Sequence, residues 1–556
     1  MTGTRRPSML RSAGLVGLMT VLSKITGMLQ SRLLAKYLGA GLAADAFMVA
    51  FRIPNLLRRF TAEGTMTSAF LPTLSEVETT QGLAAGQEMV AKFLGTLAVF
   101  LTLLCVLAIP AMGLLTGLQM LGRLAPEVRW WQQFGILWQV LSGARPAPVQ
   151  WLLTTTLARI MFPYLILVSL TAGLSAVLNL RGRFGLPASV STFWNLAFIS
   201  FAFACLHWGP APWREPQHAA VCLAVATLVG GVVQLFALWP AFRQYGFGFD
   251  WGLHLRHPGV RSALKRMAPG LVGTGIHPIN VVISTVLASQ LAVGAQTILF
   301  NSNMMGEMVL GIFAASLATV SLPAMSRLVA DDDIQGLRGS LANALRGTAV
   351  LVIPGAVGMA VLAWPIIAVI FETGRYSNAA VGWTAHTVMY QAVGLLFIAT
   401  GRIVAQCLYA LKDYKRPAFA ALFGMGINVV LSIALMGPLG TAGIALANGL
   451  ASLAGLAFLT TSLHRRIGQL PWKAVLGGWA SMGIAAGAMG ALAWAGMKAL
   501  DLGTFHGLGG SSLRLFPLIG ACALVYAALL FAFRVPEAKA VKAMVLRKLG
   551  SGSGRG

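Results

Sequence analysis

The amino-acid sequence predicts an all-α polytopic membrane protein with about 14 transmembrane helices, arranged as two six-helix lobes plus two C-terminal helices. Hydrophobic residues make up 57% of the 556 residues and charged residues only 10%, whereas charged residues are about a quarter of a soluble domain. Apolar runs long enough to cross a bilayer recur along the whole chain. Short motifs of the first half also recur in the second half, six spans later.

A bilayer-crossing helix needs about 20 predominantly apolar residues, and fourteen stretches meet this requirement. Their length indicates helices rather than a barrel, whose strands alternate in polarity over about 10 residues. In chain order, the predicted spans lie near residues 12–36, 43–72, 90–116, 150–178, 187–207, 218–240, 267–291, 295–322, 345–371, 380–409, 417–437, 441–462, 475–498 and 514–534.

Lysine and arginine predict the orientation of these spans. They concentrate before span 1, in alternate links and in the C-terminal tail, which the positive-inside rule assigns to the cytoplasm. Both termini are therefore expected in the cytoplasm, which requires an even number of spans. The net charge of +25 is spread over these short links, and that distribution fits anionic lipid headgroups rather than nucleic acid.

Two motifs recur at the same offset in span number. LPTLS at 71–75 reappears as LPAMS at 322–326, and RGRFGLPA at 181–188 matches LKDYKRPA at 411–418. An even repeat of six spans predicts two parallel lobes related by an axis along the membrane normal. The predicted divisions are an N-lobe at 1–240 with a periplasmic insertion at 118–149, a C-lobe at 241–470, two further helices within 471–534 and a basic cytoplasmic tail at 535–556.

Span 2 carries the charges that point to a function. Arg52, Arg58, Arg59 and Glu63 lie in an otherwise apolar segment, where an ionised side chain near the bilayer centre is unfavourable by about 3 kcal/mol even on insertion scales. These side chains are expected to face water or a partner rather than lipid. Cationic groups at membrane depth indicate transport of an anionic substrate.

Several motifs together resemble the MurJ/MviN family of lipid II flippases in the MOP superfamily. The motifs are SKITG at 23–27, YLGAGLAADAF at 37–47, FRIPNLLRR at 51–59, FPYLILVSL at 162–170, FETGRYS at 371–377 and DYKRPA at 413–418. The resemblance covers nearly the whole chain. It implies two six-helix lobes and two further helices, with a cationic cavity that carries the undecaprenyl-linked peptidoglycan precursor to the periplasmic leaflet by alternating access.

The resemblance places Arg58 at a family position implicated in substrate binding, and guanidinium forks suit a pyrophosphate. Arg59 points about 100° away on a helix, so the two cannot face one cavity equally. Lys24 stands at a position that is often arginine in the family. The alternatives for the span 2 arginines are snorkelling or an ion pair with Glu63, and Arg52 fits a structural role as well as a binding role.

Other positions depart from the family pattern. Gln30 and Ser31 replace an Arg-Asp pair in span 1, and Asn301 and Met304 stand where the family has a cavity arginine and an acid in span 8. Glu307 lies about one turn beyond Met304 and is a candidate substitute for that acid. These changes leave open a divergent paralogue that moves another polyprenyl-linked or anionic lipid.

The remaining intramembrane charges have two interpretations each. Asp45 opens span 2 and fits either a helix cap or dipole partner, or a coupling-ion ligand. Arg159 and Arg402, in spans 4 and 10, fit either function or pairing between helices. Asp331 to Asp333 is expected to be a solvated acidic loop, and the five cysteines, which form no C-x-x-C pair, are expected to be buried packing residues.

We therefore expect a lipid II flippase of the bacterial inner membrane, with lipid II, membrane lipids and other cell-envelope synthesis proteins as partners. No nucleophile, metal set or phosphate loop is recognisable, so we expect no catalytic residues, no metal, no cofactor and no enzyme activity. A MATE-like exporter of small solutes shares the architecture but would favour acidic cavity groups. A non-transporting scaffold would need none of the buried arginines.

Overall fold

A computed structural model describes residues 9–61, 70–124, 127–128, 132–502 and 508–537, without the side chains of 9–14, 59–61, 268–278, 312–320 and 508–511. All regular structure in these residues is helical. The chain divides into two compact units. Unit 1 comprises Met1–Thr297 and Thr373–Tyr376, and unit 2 comprises Ile298–Glu372 and Ser377–Gly556.

Unit 1 holds the first eleven α-helices, the first turn of the twelfth and a short 3-10 helix at Ala211–Arg214. The helices are α1 (Met9–Leu38), α2 (Leu42–Thr61), α3 (Leu71–Gln81), α4 (Leu83–Gln119), α5 (Leu121–Leu124), α6 (Gln133–Leu141), α7 (Val149–Met161), α8 (Tyr164–Leu180), α9 (Gly185–Trp208), α10 (Pro216–Gln244), α11 (Pro258–Ala288) and α12 (Ala295–Ala330).

Unit 2 holds the rest of α12 and seven further helices. These are α13 (Ile334–Val361), α14 (Ala363–Phe371), α15 (Asn378–Ala410), α16 (Lys415–Leu439), α17 (Thr441–Ile467), α18 (Trp472–Ala499) and α19 (Leu508–Ala532). Helices α15 and α17 lie close together where Gly394 faces Gly449, since a Cβ on Gly394 would lie 2.4 Å from the Gly449 Cα. Small residues that let helix backbones approach are typical of membrane proteins.

Each of the fourteen predicted spans overlaps a long helix or helix pair, although some boundaries differ. Span 4 is the pair α7 and α8, and span 9 is the pair α13 and α14, which begins at Ile334 rather than near 345. For span 2, helix α2 ends at Thr61 among the described residues and α3 begins at Leu71. Ten segments within the described residues are long and apolar enough to cross a membrane.

The internal repeat is visible in two turns 230 residues apart. Gly182 and Lys412 both have positive φ, at +75° and +59°. In the first turn the Arg183 N–H donates to the Leu178 carbonyl, and in the second the Asp413 N–H donates to the Leu408 carbonyl. Pro187 and Pro417 then lie in the first turn of α9 and α16, where a missing N–H costs least. The matched motifs therefore build the same helix-turn-helix geometry.

The unit boundary lies inside α12, between Thr297 and Ile298, whereas the sequence placed the lobe boundary between residues 240 and 241. The division into lobes at 240 and 470 stays a prediction. Residues 373–376 group with unit 1 because they pack against the end of α1. The Arg375 N–H donates to the Lys36 carbonyl at 3.3 Å, and a Cβ on Gly374, whose φ is +55°, would lie 2.4 Å from that oxygen.

The insertion at 118–149 folds back onto its neighbours. Its helix α6 buries Ile136, Leu137 and Val140 in a cluster with Trp151. Its other face presents Phe134, Trp138 and Leu141, which are exposed and follow one side of the helix at i, i+4 and i+7. This amphipathic pattern fits a helix lying at a membrane interface.

The prediction that all five cysteines are buried is wrong for two of them. Cys105, Cys407 and Cys522 are buried, but Cys205 and Cys222 are only half-buried. All five are free thiols in the structure. Cys205 lies near the end of α9, and Cys222 lies near the start of α10.

Candidate functional site

Asp45, in the first turn of α2, is completely buried and surrounded by hydrogen-bond donors. Its carboxylate accepts the Gly294 N–H at 2.8 Å, the Thr297 N–H at 2.9 Å and the Thr297 hydroxyl at 2.7 Å. Gly294 and Thr297 flank the start of α12, so the carboxylate caps the N-terminus of that helix, where negative charge is stabilising. The sequence analysis offered a cap of α2 as one interpretation, whereas these hydrogen bonds cap α12.

Arg123 supplies a positive charge beside this cap. Its Nη2 lies 3.8 Å from the Asp45 carboxylate and donates to the Ala292 carbonyl at 2.6 Å. Burial lowers the pKa of Arg123 from its usual value, and the Asp45 carboxylate opposes that shift. The sequence analysis missed Arg123, because 78 residues separate it from Asp45 and no motif links the two.

Arg52 lies two turns beyond Asp45, on the same side of α2. The residue is buried, with only 5% of its surface exposed. Burial in this position favours the structural interpretation of Arg52 over a substrate contact. The side chain is held within unit 1 rather than presented to water.

Arg58 is half-buried near the other end of α2. Its Nε–H donates to the Asn55 side-chain oxygen at 3.0 Å, which fixes the orientation of the guanidinium group. Two turns earlier, Phe51 packs against Tyr164 and Trp194, with ring centroids 6.3 and 6.1 Å apart. An oriented guanidinium is a feature that a binding arginine needs.

The predicted partners of Arg58 on α2 are only partly described. The side chain of Arg59 lies outside the described residues, and so does Glu63. Asn55 was missed as a partner, although its position three residues before Arg58 places both on one helix face. That i, i+3 spacing was the signal in the sequence.

Two further predicted residues lie on α1. Lys24 is exposed and Gln30 is half-buried. Both lie at least about 100° round the helix from Ile25 and Leu29, which are exposed apolar residues. Lys24 and Gln30 therefore lie on either side of the stripe formed by Ile25 and Leu29, about 120° from each other round the helix.

Unit 2 brings together Glu307 and Arg402, two residues that the sequence treated separately. The Arg402 Nη2 lies 3.3 Å from the Glu307 Oε1, and the side chains are 42% and 49% exposed, respectively. Nearby, the Gln391 amide donates to the Asn303 oxygen at 2.9 Å. An ion pair and a hydrogen bond therefore connect α12 to α15, two helices that are otherwise mostly apolar.

Two other predicted site residues lie elsewhere. Asn301 is buried on α12, and Arg159 is exposed on α7 in unit 1.

The acidic run at Asp331 to Asp333 has a local role. Its last residue, Asp333, accepts the Gly336 N–H and caps α13. Asp331 and Asp332 are exposed in the turn between α12 and α13. No group of three metal-ligating acids, histidines or cysteines occurs among the described residues.

Sequence similarity to known proteins identifies the family of this chain. A family model described as lipid II flippase MurJ matches residues 34–507. The lipid II flippase MurJ of Burkholderia cenocepacia is 31% identical over 519 residues, covering 92% of this chain and 94% of that protein. This chain belongs to the lipid II flippase MurJ family. The probable lipid II flippase MurJ of Vibrio cholerae is 30% identical over 542 residues, 96% of this chain and 98% of that one.

Solved structures share the MurJ family fold. One described as lipid II flippase MurJ in an inward closed conformation has a TM-score of 0.68 at 22% identity, covering 96% of this chain and 99% of that one. An inward-facing MATE transporter of the MOP superfamily has a TM-score of 0.61 at 12% identity, covering 81% and 98%. These likenesses confirm the all-helical, MOP-type membrane fold that the sequence predicted. The chain is a multi-pass membrane protein.

Proposed function

We propose that this protein translocates lipid II from the cytoplasmic to the periplasmic leaflet by alternating access. Membership of the MurJ family supports this function, and the relatives named above are described as lipid II flippases. The proposal places the protein in the bacterial inner membrane with both termini in the cytoplasm. It acts as a transporter and not as an enzyme, on lipid II and among membrane lipids and other cell-envelope synthesis proteins.

The observation that carries the proposal is the hydrogen bond by which Asn55 orients the Arg58 guanidinium group on α2. Lipid II has a pyrophosphate between a sugar-peptide head and a polyprenyl tail, so a carrier needs a cationic group for the head. A guanidinium offers charged, bidentate donors to phosphate oxygens. Because Asn55 already orients the Arg58 side chain, little conformational entropy remains to be lost when a phosphate binds.

An apolar cavity in unit 2 supports the same substrate class. It has a volume of about 890 Å³ and is lined almost entirely by apolar side chains of α12 to α15, α18 and α19, among them Met305, Leu351, Met359 and Leu530. A cavity of this size and character suits part of a polyprenyl chain.

The departures at Gln30, Asn301 and Met304 keep a second candidate, a paralogue that moves another polyprenyl-linked anion. Both candidate functions, transport of lipid II and transport of another polyprenyl-linked anion, require Arg58. A complementation assay distinguishes the two substrates. In a strain depleted of its lipid II flippase, the wild-type protein is expected to restore growth and Arg58→Ala is expected to abolish rescue, with equal amounts of protein in the membrane. Arg261→Ala, which changes an exposed arginine at the start of α11, is the matched control and should rescue fully.

Two outcomes would contradict the proposal. Full rescue by Arg58→Ala would remove Arg58 from the transport mechanism. Failure of the wild-type protein to rescue, despite normal insertion, would reject lipid II as the substrate and favour the paralogue.

A further inference from the structure

The ion pair between Glu307 and Arg402 is exposed where an apolar helix should face lipid or protein. Both residues lie well inside the predicted spans 8 and 10, and each side chain is about half-exposed. Charged groups in lipid at such a depth are unfavourable by about 3 kcal/mol each on insertion scales. The pair is therefore expected to face water.

The position of Arg402 on α15 identifies the side that it faces. Val393, which is exposed and apolar, lies nine residues earlier and so about 180° round the helix. Gln391 lies eleven residues earlier, about 20° from Arg402, and its amide donates to Asn303 of α12. Arg402 therefore shares the face of α15 that meets α12, and it lies opposite the apolar surface that suits lipid.

Helix α12 separates this ion pair from the apolar cavity. Met305 and Met308 line the cavity, and Glu307 lies about 200° from Met305 and about 100° from Met308 round the helix. Within unit 2, one helix thus has an apolar cavity on one side and a water-facing charge pair on another. A substrate with an anionic head and an apolar tail has a matching surface for each part.

We propose that Arg402 binds a phosphate oxygen of the polyprenyl-linked substrate, and that Glu307 is the resting counter-ion which this phosphate displaces. The inference rests on the proposed function and names a second anion-binding arginine for it. Ion pairs this exposed are worth about 0–1 kcal/mol, so a phosphate with more negative charge displaces the carboxylate at little cost. Arginine also forms bidentate bonds with phosphate.

Glu307 has a defined part in this exchange. By pairing with Arg402 in the absence of substrate, its carboxylate competes with small anions for the guanidinium. It also competes with the bound phosphate and so speeds release. A carboxylate that competes with the substrate's phosphate limits the affinity of the site. This favours turnover, because a transporter that binds its substrate too tightly cannot release it.

The alternative is that the pair simply ties α12 to α15. Purified variants distinguish the two, with undecaprenyl pyrophosphate and lipid II as probes and native mass spectrometry in detergent as the measurement. Arg402→Gln is expected to weaken binding of both probes about tenfold, the effect of one charge-assisted hydrogen bond. Glu307→Gln is expected to bind them at least as tightly as the wild type. Arg465→Gln, an exposed arginine elsewhere in unit 2, is the control and should not change binding.

Three other binding results would each reject the inference, and each has a different pattern among the wild type and the variants. If Glu307→Gln weakens binding as much as Arg402→Gln does, the pair is a structural tie. If the wild type binds both probes and Arg402→Gln binds them equally well, Arg402 is not a ligand and the proposed function stands. If the wild type binds neither probe, the proposed function fails and the inference fails with it. Thermal unfolding of each variant verifies that the protein is folded.

Discussion

Asp45 and Glu307 are both single acids in apolar helices, yet their surroundings differ completely. Asp45 is fully buried and accepts three hydrogen bonds at the start of α12, with Arg123 beside it. Glu307 is about half-exposed and meets Arg402 at 3.3 Å. A buried, fully hydrogen-bonded carboxylate is costly to disturb, whereas an exposed one exchanges partners readily. The difference separates a charge that holds the fold from a charge that is available to a substrate.

The largest expected effect comes from removing the buried carboxylate. Asp45→Ala leaves the N–H groups of Gly294 and Thr297 without this acceptor and Arg123 without its counter-ion. The expected loss in the free energy of unfolding is about 3 kcal/mol or more, measured by thermal unfolding of the purified protein in detergent. Asp45→Asn keeps one acceptor oxygen and should lose less. An Asp45→Ala protein as stable as the wild type would show that this carboxylate is not structural.

A smaller effect is expected from one donor to the same carboxylate. Thr297→Val removes the hydroxyl that donates at 2.7 Å and keeps the side-chain shape and the backbone N–H. A hydrogen bond to a charged group is worth about 1.5–3 kcal/mol, so we expect a loss near the lower value in the same unfolding assay. The double variant Asp45→Ala with Thr297→Val should be no less stable than Asp45→Ala alone. Additive losses would mean that the hydroxyl acts independently of Asp45.

The smallest effect on stability is expected at the exposed pair. Glu307→Gln should change the free energy of unfolding by less than about 1 kcal/mol, the usual range for exposed ion pairs. Added salt should reduce even this difference, because exposed charges are screened. A loss comparable to that of Asp45→Ala would place Glu307 among the structural charges and remove the contrast between the two acids.

The sequence predicted most of the fold, because apolar runs of bilayer length and repeated turn motifs are local signals. Gly182 and Lys412 illustrate this: their motifs aligned in the sequence, and their turns have the same hydrogen bonds. The breaks in spans 4 and 9 were missed, since both halves of each span are apolar.

The contacts of the candidate site could be predicted only where they are local. The i, i+3 spacing of Asn55 and Arg58 is readable, but the partners of Asp45 lie 78 and about 250 residues away in sequence. The same holds for Glu307 and Arg402, which are 95 residues apart. One sequence cannot show which distant residues meet, or which of two acids becomes buried. Burial decided the roles of these charges, and burial is a tertiary property.

The most direct test of this account is the reactivity of single cysteines toward a charged, membrane-impermeant thiol reagent. In a protein whose five native cysteines are replaced, Glu307→Cys and Arg402→Cys should react in sealed membranes from at least one side. Val393→Cys, on the apolar face of α15, should stay unreactive from both sides, because such reagents require water. If Glu307→Cys and Arg402→Cys are as inert as Val393→Cys, the pair faces lipid or packed protein, and the water-facing anion site does not exist.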